Sequence, residues 1–502
     1  MNGVFVSLYL GIDLGTTGVK AILVDDSQKI VGSSYKDYAI STPRIGFAEQ
    51  DTEIWWSSTC TVIRDAMEKN GVSKDQIRGV GFSGQMHGLI ALDSEGKVLY
   101  PAIIHCDQRS SEEKMEILEY FGKERLGQLV QNLPNSGFQL SSLLWLKKNQ
   151  RDVFDRIRHV LLPKDYIRYR LTGEIATEVT DACSTLMFNN ATQDWSKEIV
   201  SWAELDPSIL PQCKNRPYEK SGAVSRKAAE ETGLAEGTAV AYGSGDQVAQ
   251  AVGNGMLRPG KASITLGTSG QVLIPTDRIV LDPELRVNLF THALPDVWYV
   301  LGAVMNATLA LNWFKKKVIC STDIKYIDSL AESVRPGSEN LFFLPYLTGE
   351  RVPLMNEKAR AGFIGLTLGH DRAHMCRSIM EGVAFSLYDA MQVIRQMGVD
   401  SDKFILSGGG TRSQVWRKIL ADVFGCEMMS DGVCEQAAYG AARYAMIASG
   451  DYRSLDEVVS IADHGFPDVV KPDMDTHALY MEKFETYKTF SRQTSSVFSS
   501  IG

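Results

Sequence analysis

The feature that most constrains this chain is a turn that occurs twice. The first copy is Tyr9-Leu-Gly-Ile-Asp13-Leu-Gly15-Thr16-Thr17-Gly-Val-Lys-Ala-Ile-Leu23. The second is Lys261-Ala-Ser-Ile-Thr-Leu-Gly267-Thr268-Ser269-Gly-Gln-Val-Leu-Ile274. Each reads as a strand, a Leu-Gly-Thr-Thr/Ser-Gly turn and a second strand. The copies stand about half a chain apart, as they would if each half carried the same hairpin. The 502 residues are 44% hydrophobic, and a single core rarely grows past ~250–300 residues. Two domains of similar size follow. The glycine-rich stretch Tyr242–Asn254 lies between the copies, and the division is placed there: 1–245 and 246–502.

Strand-length apolar runs (Leu8–Ile12, Ala21–Val24, Gly79–Phe82, Ala239–Tyr242) alternate with segments of helical spacing, Ile54–Met67 and Ser141–Lys148. That alternation predicts an α/β fold with parallel or mixed sheets. Basic residues number 52 and acidic ones 61, a net charge of −9. Nothing in that balance asks for nucleic acid or an anionic membrane as partner. Eight cysteines are scattered without a C-x-x-C pair, which fits reduced thiols and a cytoplasmic protein. The apolar start, Met1–Ile12, lacks a basic n-region and reads as a first strand. No run of ~18 apolar residues predicts a membrane span.

Chemistry concentrates in a few turns. Glycine turns let backbone N–H groups close on an anion, and Thr16, Thr17, Thr268 and Ser269 add hydroxyl donors. Two such turns suit a polyphosphate, and Asp13 beside the first suits Mg²⁺ held through water. Gly255-Met-Leu-Arg-Pro-Gly-Lys261 imitates a P-loop. It lacks the Ser or Thr that must follow and leads into a strand-like run, Ala262–Leu266, so the motif is rejected.

Ala239-Val-Ala-Tyr-Gly-Ser-Gly-Asp246-Gln247 reads as strand, glycine turn and helix start. The bland role of Asp246 is a helix cap. Its functional role is general base toward a hydroxyl attacking phosphorus, with the helix dipole favouring the ionised form. Gly79-Val-Gly-Phe-Ser-Gly-Gln85-Met86-His87-Gly ends a strand with two hydrogen-bonding side chains and an apolar one, suited to a polyol. A histidine there is more often structural when taken alone. Asp107, at the next strand end, is the second candidate for the base. Lys403-Phe-Ile-Leu-Ser-Gly408-Gly409-Gly410 predicts a strand and a turn that lets a flat nucleoside approach.

Together these motifs resemble the FGGY carbohydrate kinases of the actin, Hsp70 and hexokinase superfamily. The second signature of that family is similar to Gly362-Phe-Ile-Gly365-Leu-Thr-Leu-Gly-His-Asp-Arg-Ala-His374-Met-Cys-Arg-Ser378-Ile-Met-Glu381. Gln85-Met86-His87-Gly88, Leu162-Pro-Lys-Asp-Tyr-Ile-Arg168 and Phe343-Leu-Pro-Tyr-Leu-Thr-Gly-Glu-Arg351 resemble segments of the bacterial xylulokinases within it. The resemblance implies two actin-like lobes with an interlobe active-site cleft, ATP and Mg²⁺ as cofactors, and phosphorylation of a sugar, D-xylulose first. It implies Asp246 as proton acceptor, Asp13 as the Mg²⁺–ATP residue, and Gln85, Met86, His87, Asp107 and Gln247 on the sugar. It places Gly15, Thr16, Thr17, Gly267, Thr268, Ser269, Asn312, Gly408, Gly409, Gly410 and Ser413 around the nucleotide. A homodimer is compatible with it. The chain departs from the pattern at Ser142, at His105-Cys106 and at Gln247; the last two bear on which sugar is taken. The other readings are an FGGY kinase for another ketose, a polyol or an aldonate, and a non-catalytic actin- or Hsp70-like nucleotide switch.

Overall fold

The computed structural model describes residues 6–321, 323–430, 435–461, 466–498 and 500. Its chain divides into two units. The first comprises Met1–Leu257, Phe290–Val297 and Glu435–His464; the second comprises Arg258–Leu289, Trp298–Cys434 and Gly465–Gly502.

In the first unit the leading apolar runs form β1 (Leu8–Leu14) and β2 (Gly18–Asp25), an antiparallel hairpin in which Asp13 stands opposite Lys20. β3 (Ile30–Asp37) continues the meander. β4 (Ile77–Gly84) lies parallel to β1 on its other side. β5 (Lys220–Ala223), β6 (Ala239–Ala241) and β7 (Ser244–Gly245) complete the sheet in the order β5-β6-β4-β1-β2-β3, with β7 paired to the end of β4.

Alternation along β1 explains its two faces. Leu8, Leu10 and Ile12 join a core with Trp55, Val62 and Ile63 of α1 (Thr52–Glu68). Tyr9 points the other way, to Ala438 and Ala442 of the helix Gln436–Ala448. α1 begins where Asp51 accepts a hydrogen bond from the Glu53 N–H. Three further helices matter below: α2 (Pro163–Thr172), the short α3 (Val179–Ala182) and α4 (Asp246–Gly253).

The Gln436–Ala448 helix sits unusually close to its neighbours. A Cβ on Gly440 would stand 1.9 Å from the carbonyl oxygen of Ala249 in α4, and one on Gly81 of β4 would stand 2.0 Å from that of Ala441. Backbone on both sides leaves nothing that can swing away. Gly440→Ala is therefore expected to destabilise the first unit by about 1–3 kcal/mol, the usual cost of overpacking. A denaturant midpoint unchanged from the parent would contradict this packing. The same contact explains why the first unit runs past residue 245, where the sequence reading divided the chain, to Leu257: α4 is packed on that helix.

The second unit repeats the plan. β8 (Ala262–Leu266) and β9 (Gly270–Thr276) form an antiparallel hairpin, extended by β10 (Trp298–Val304). β11 (Lys403–Ser407) lies parallel to β8, β12 (Glu427–Ser430) parallel to β11, and β13 (Asp468–Val470) closes that side antiparallel. Thus each copy of the turn joins the first two strands of a three-stranded meander, whose first strand has a parallel neighbour. α5 (Thr308–Phe314), the long buried α6 (Arg372–Gln396) and α7 (Gln414–Phe424) belong to this unit. Lys261 leads directly into β8, not into a helix, as the rejection of the P-loop requires. No helix among the described residues is long and apolar enough to cross a membrane. The described cysteines are free; Cys434 lies outside the described residues.

Candidate active site

In the first unit β1, β4 and β7 run parallel with their ends in register: Asp13 pairs with Ser83, Ser83 with Ser244 and Gly84 with Gly245. The carboxyl ends of parallel strands are where open α/β sheets receive ligands. Here they bring together Asp13, the Gln85-Met86-His87 turn and Asp246.

Asp246 is the first residue of α4. The cap position belongs to Gly245, and no side chain caps this helix, so Asp246 is not spent on capping. Burial first, and then the negative charge of Asp13, push its carboxyl up to about 7. This corrects the expectation that the helix dipole would hold it ionised. The helix dipole is worth a few tenths to about 1 kcal/mol, and desolvation with a like charge nearby outweighs it. Asp13 is also raised, again by burial first, against the hydrogen bond from Ser83 Oγ at 2.7 Å and the charge of Lys20. Lys20 is ion-paired with Glu435.

The Gly15–Thr17 turn is closed by the Gly15 N–H donating to Gly18 O at 2.9 Å. Its carbonyls are held from outside: Tyr38 OH donates to Gly15 O at 2.6 Å, and Gln50 Nε2 donates to Thr16 O at 2.8 Å. Gln50 Oε1 accepts from Gln85 Nε2 at 3.1 Å. Gln50 thereby ties the Gly15–Thr17 turn to the Gln85-Met86-His87 turn. Sequence reasoning missed it, because nothing in Ala48-Glu-Gln-Asp51 marks its partners. Ser83 was missed for the same reason.

Met86 is buried against Gly245. Half-buried His87 has a left-handed backbone, φ +75°, and its ring stacks on Phe138 with centroids 4.2 Å apart. Gln247 Nε2 is 3.5 Å from Asp246 Oδ1. Asp107 is placed differently from these. It is wholly buried in an ion pair with Arg109 at 2.8 Å, and its oxygens accept from the N–H groups of Ala48 at 2.6 Å and Arg109 at 2.8 Å. Arg109 in turn meets Glu49 at 2.7 Å and lies 3.9 Å over the ring of Phe47. That carboxylate organises a strand end and has its lone pairs in use.

In the second unit β8 and β11 end side by side, which brings Gly267, Thr268 and Ser269 next to Gly408, Gly409 and Gly410. Gly408 has φ +87°, and a Cβ there would stand 2.6 Å from Leu266 O. Only glycine fits so near the neighbouring strand end. Gly409 has open space on its Cβ side. The turn after β8 is pinned by Thr308, whose Oγ1 and N–H both donate to Gly267 O, at 2.8 and 2.9 Å. Asn312 lies one turn further along α5. Ser413 caps α7, accepting from the Trp416 N–H at 3.1 Å and donating to Asp328 at 2.8 Å. The predicted helix after the glycines is first a short 3₁₀ turn, Gly409–Arg412, and then α7.

The two units therefore carry different kinds of groups at their strand ends. The first carries a raised carboxylate beside a polar turn. The second carries paired glycine turns with N–H and hydroxyl donors. Among the described residues no group of three or more His, Cys, Asp or Glu could hold a metal ion by itself.

Comparison with known proteins agrees with this chemistry. Residues 8–253 match the model of the N-terminal domain of the FGGY family of carbohydrate kinases, and residues 262–449 match that of its C-terminal domain. A xylulose kinase of Staphylococcus epidermidis is 33% identical over 485 residues, covering 97% of this chain and 96% of the relative. The xylulose kinase of Escherichia coli is 34% identical over 490 residues, covering 97% and 99%. A crystal structure of a xyloylose kinase from Brucella ovis superposes with a TM-score of 0.90 at 34% identity, covering 98% of this chain and all of that one. With two mixed sheets, a duplicated glycine turn and matches running through both halves, this chain belongs to the FGGY family of carbohydrate kinases.

Proposed function

We propose that this kinase transfers the γ-phosphoryl group of ATP to D-xylulose, giving D-xylulose 5-phosphate and ADP, with Asp246 as general base. The observation that carries the reading is Asp246 itself: uncommitted to capping, raised to about 7, and one strand end from Gln85-Met86-His87. The relatives' names point to the sugar.

The substrate hydroxyl oxygen attacks the γ-phosphorus while its proton passes to the Asp246 carboxylate. The bond from that phosphorus to the bridging oxygen breaks, and its electron pair leaves with ADP. Gln85, Met86, His87 and Gln247 hold the sugar. Gly15, Thr16 and Thr17, with Gly267, Thr268 and Ser269, supply phosphate donors, and Gly408–Gly410 admit the adenosine. When bound, Mg²⁺ would neutralise charge on the transferring phosphate, and Asp13 would hold it through water.

Assaying ADP release across a panel of ketoses, polyols and aldonates tests the substrate. D-xylulose should give the highest kcat/KM; a higher value for another member of the panel would overturn that choice.

The elevated carboxyl of Asp246 gives a pH dependence of definite sign. A base must be ionised, and below its pKa the ionised fraction falls tenfold per pH unit. At subsaturating ATP and sugar, kcat/KM reports the free enzyme. It should level off above pH ~8, about one unit above the pKa of the base, and fall on the acid side with a midpoint near the value of about 7 for Asp246. A profile flat down to pH 5 would show that no group of this kind controls the rate.

A further inference from the structure

His87 is fixed at several points at once. Its backbone holds φ +75°, a region side chains other than glycine seldom occupy. Its ring lies nearly flat on Phe138, 16° between planes. Its main-chain N–H donates to Ser184 Oγ at 3.2 Å, and its Nδ1 is 2.8 Å from the carbonyl oxygen of the same serine. Ser184 is wholly buried. Its one hydroxyl proton goes to the carbonyl of Asp181 at 2.7 Å, which leaves Oγ as an acceptor toward His87.

That serine is anchored in turn. α3, just before it, starts with Glu178 accepting from the N–H groups of Thr180 and Asp181 at 2.7 and 3.0 Å. Glu178 and Asp181 both face Lys164 Nζ at 3.4 Å in a wholly buried ion cluster. The position of the His87 ring is thus referred, through Ser184, to one of the most enclosed polar groups of the first unit.

A carbonyl oxygen can only accept a hydrogen bond, so Nδ1 must carry the proton, and in the neutral ring Nε2 is then an acceptor. We propose that Ser184 is a positioning residue that fixes His87 as the Nδ1–H tautomer, so that the ring reads the sugar by accepting a hydrogen bond from one hydroxyl at Nε2. This rests on the reading of His87 as a sugar-binding residue. It adds a chemical selectivity: the position takes a free hydroxyl as donor, and a carbonyl, an ether oxygen or a fluorine cannot satisfy it. Sites built around a substrate hydroxyl reject analogues that lack it far more strongly than apolar pockets reject a change of size.

The parent protein labelled with ¹⁵N-histidine tests the tautomer without any serine variant. The His87 signals are assigned by their loss in His87→Asn. An unprotonated Nε2 and a protonated Nδ1 in the neutral ring are expected, and the opposite pattern overturns the proposal. Kinetics test the purpose. Ser184→Ala, which removes Oγ and keeps the carbonyl, should raise KM for D-xylulose about fivefold or more, the scale of one lost hydrogen bond. Its kcat should change less, and Ser184→Thr should restore much of the loss. If His87→Asn raises KM while Ser184→Ala keeps the parent value, the positioning role is wrong and the sugar-binding role of His87 stands. If His87→Asn keeps the parent KM, the sugar-binding role falls, and the positioning proposal falls with it.

Discussion

Asp246→Asn should fold, bind D-xylulose within a few-fold of the parent and lose kcat by ~10²-fold or more. Asn has the shape of Asp, and the helix it begins is capped by Gly245, so no cap is lost. Neutralising the residue also removes a charge that burial and Asp13 both disfavour, so stability should not fall. What disappears is the ability to take a proton from a neutral hydroxyl as it becomes bonded to phosphorus. Asp13→Asn should behave differently, with its defect in the Mg²⁺ and ATP dependence of the rate rather than in sugar affinity. Calorimetric titration with D-xylulose beside steady-state kinetics separates these outcomes. Near-parent turnover by Asp246→Asn would return that residue to a structural role.

Lys164→Met is expected to show the largest loss of stability. Lys164 Nζ lies 2.7 Å from Asp165 Oδ1 and 3.4 Å from carboxylate oxygens of Glu178 and Asp181, and all four side chains have no exposed surface. Arg168, 3.8 Å from Asp165 and equally buried, is the second cation. With Lys164 gone, three buried carboxylates face one guanidinium. Breaking a buried ion pair from one side costs about 3–5 kcal/mol, because the charge left behind keeps its desolvation penalty. Burial already raises Glu178 and Asp181 above the ordinary carboxylate range, and Lys164 works against that rise; the substitution raises them further. A carboxyl whose folded pKa lies above its unfolded value penalises the fold when ionised. The deficit should therefore shrink as the pH is lowered toward the unfolded value. Urea unfolding of the first unit at two pH values measures both effects. A midpoint equal to the parent's at neutral pH would mean that the cluster contributes nothing net.

Much of this architecture could be read from local pattern. The duplicated Leu-Gly-Thr-Thr/Ser-Gly turn foretold the repeated meander, because a glycine turn between two apolar runs has few other solutions. The helix expected over Ile54–Met67 is α1, extended by two residues to the point where Asp51 caps it. The start of α4 at Asp246 was visible in the glycines before it. The electrostatics were not legible. Asp246 is raised by burial and by Asp13, a neighbour brought close only by the parallel pairing of β1, β4 and β7. Nothing in the sequence around Asp107, the second candidate for the base, tells that Arg109, two residues on, folds back on it against Phe47. Gln50 and Ser184 carry no motif at all. Each acts through main-chain atoms of a distant turn, and such partners are fixed by tertiary packing rather than by spacing along the chain.

The central claim is a covalent outcome and is best tested as one. The purified chain is incubated with Mg²⁺, ATP and D-xylulose, and the products are followed by ³¹P NMR. A new phosphomonoester signal that couples to the C5 protons of xylulose and grows in step with ADP is expected, and it should be nearly absent with Asp246→Asn. ADP accompanied only by inorganic phosphate, or a sugar ester formed equally fast by Asp246→Asn, would contradict it.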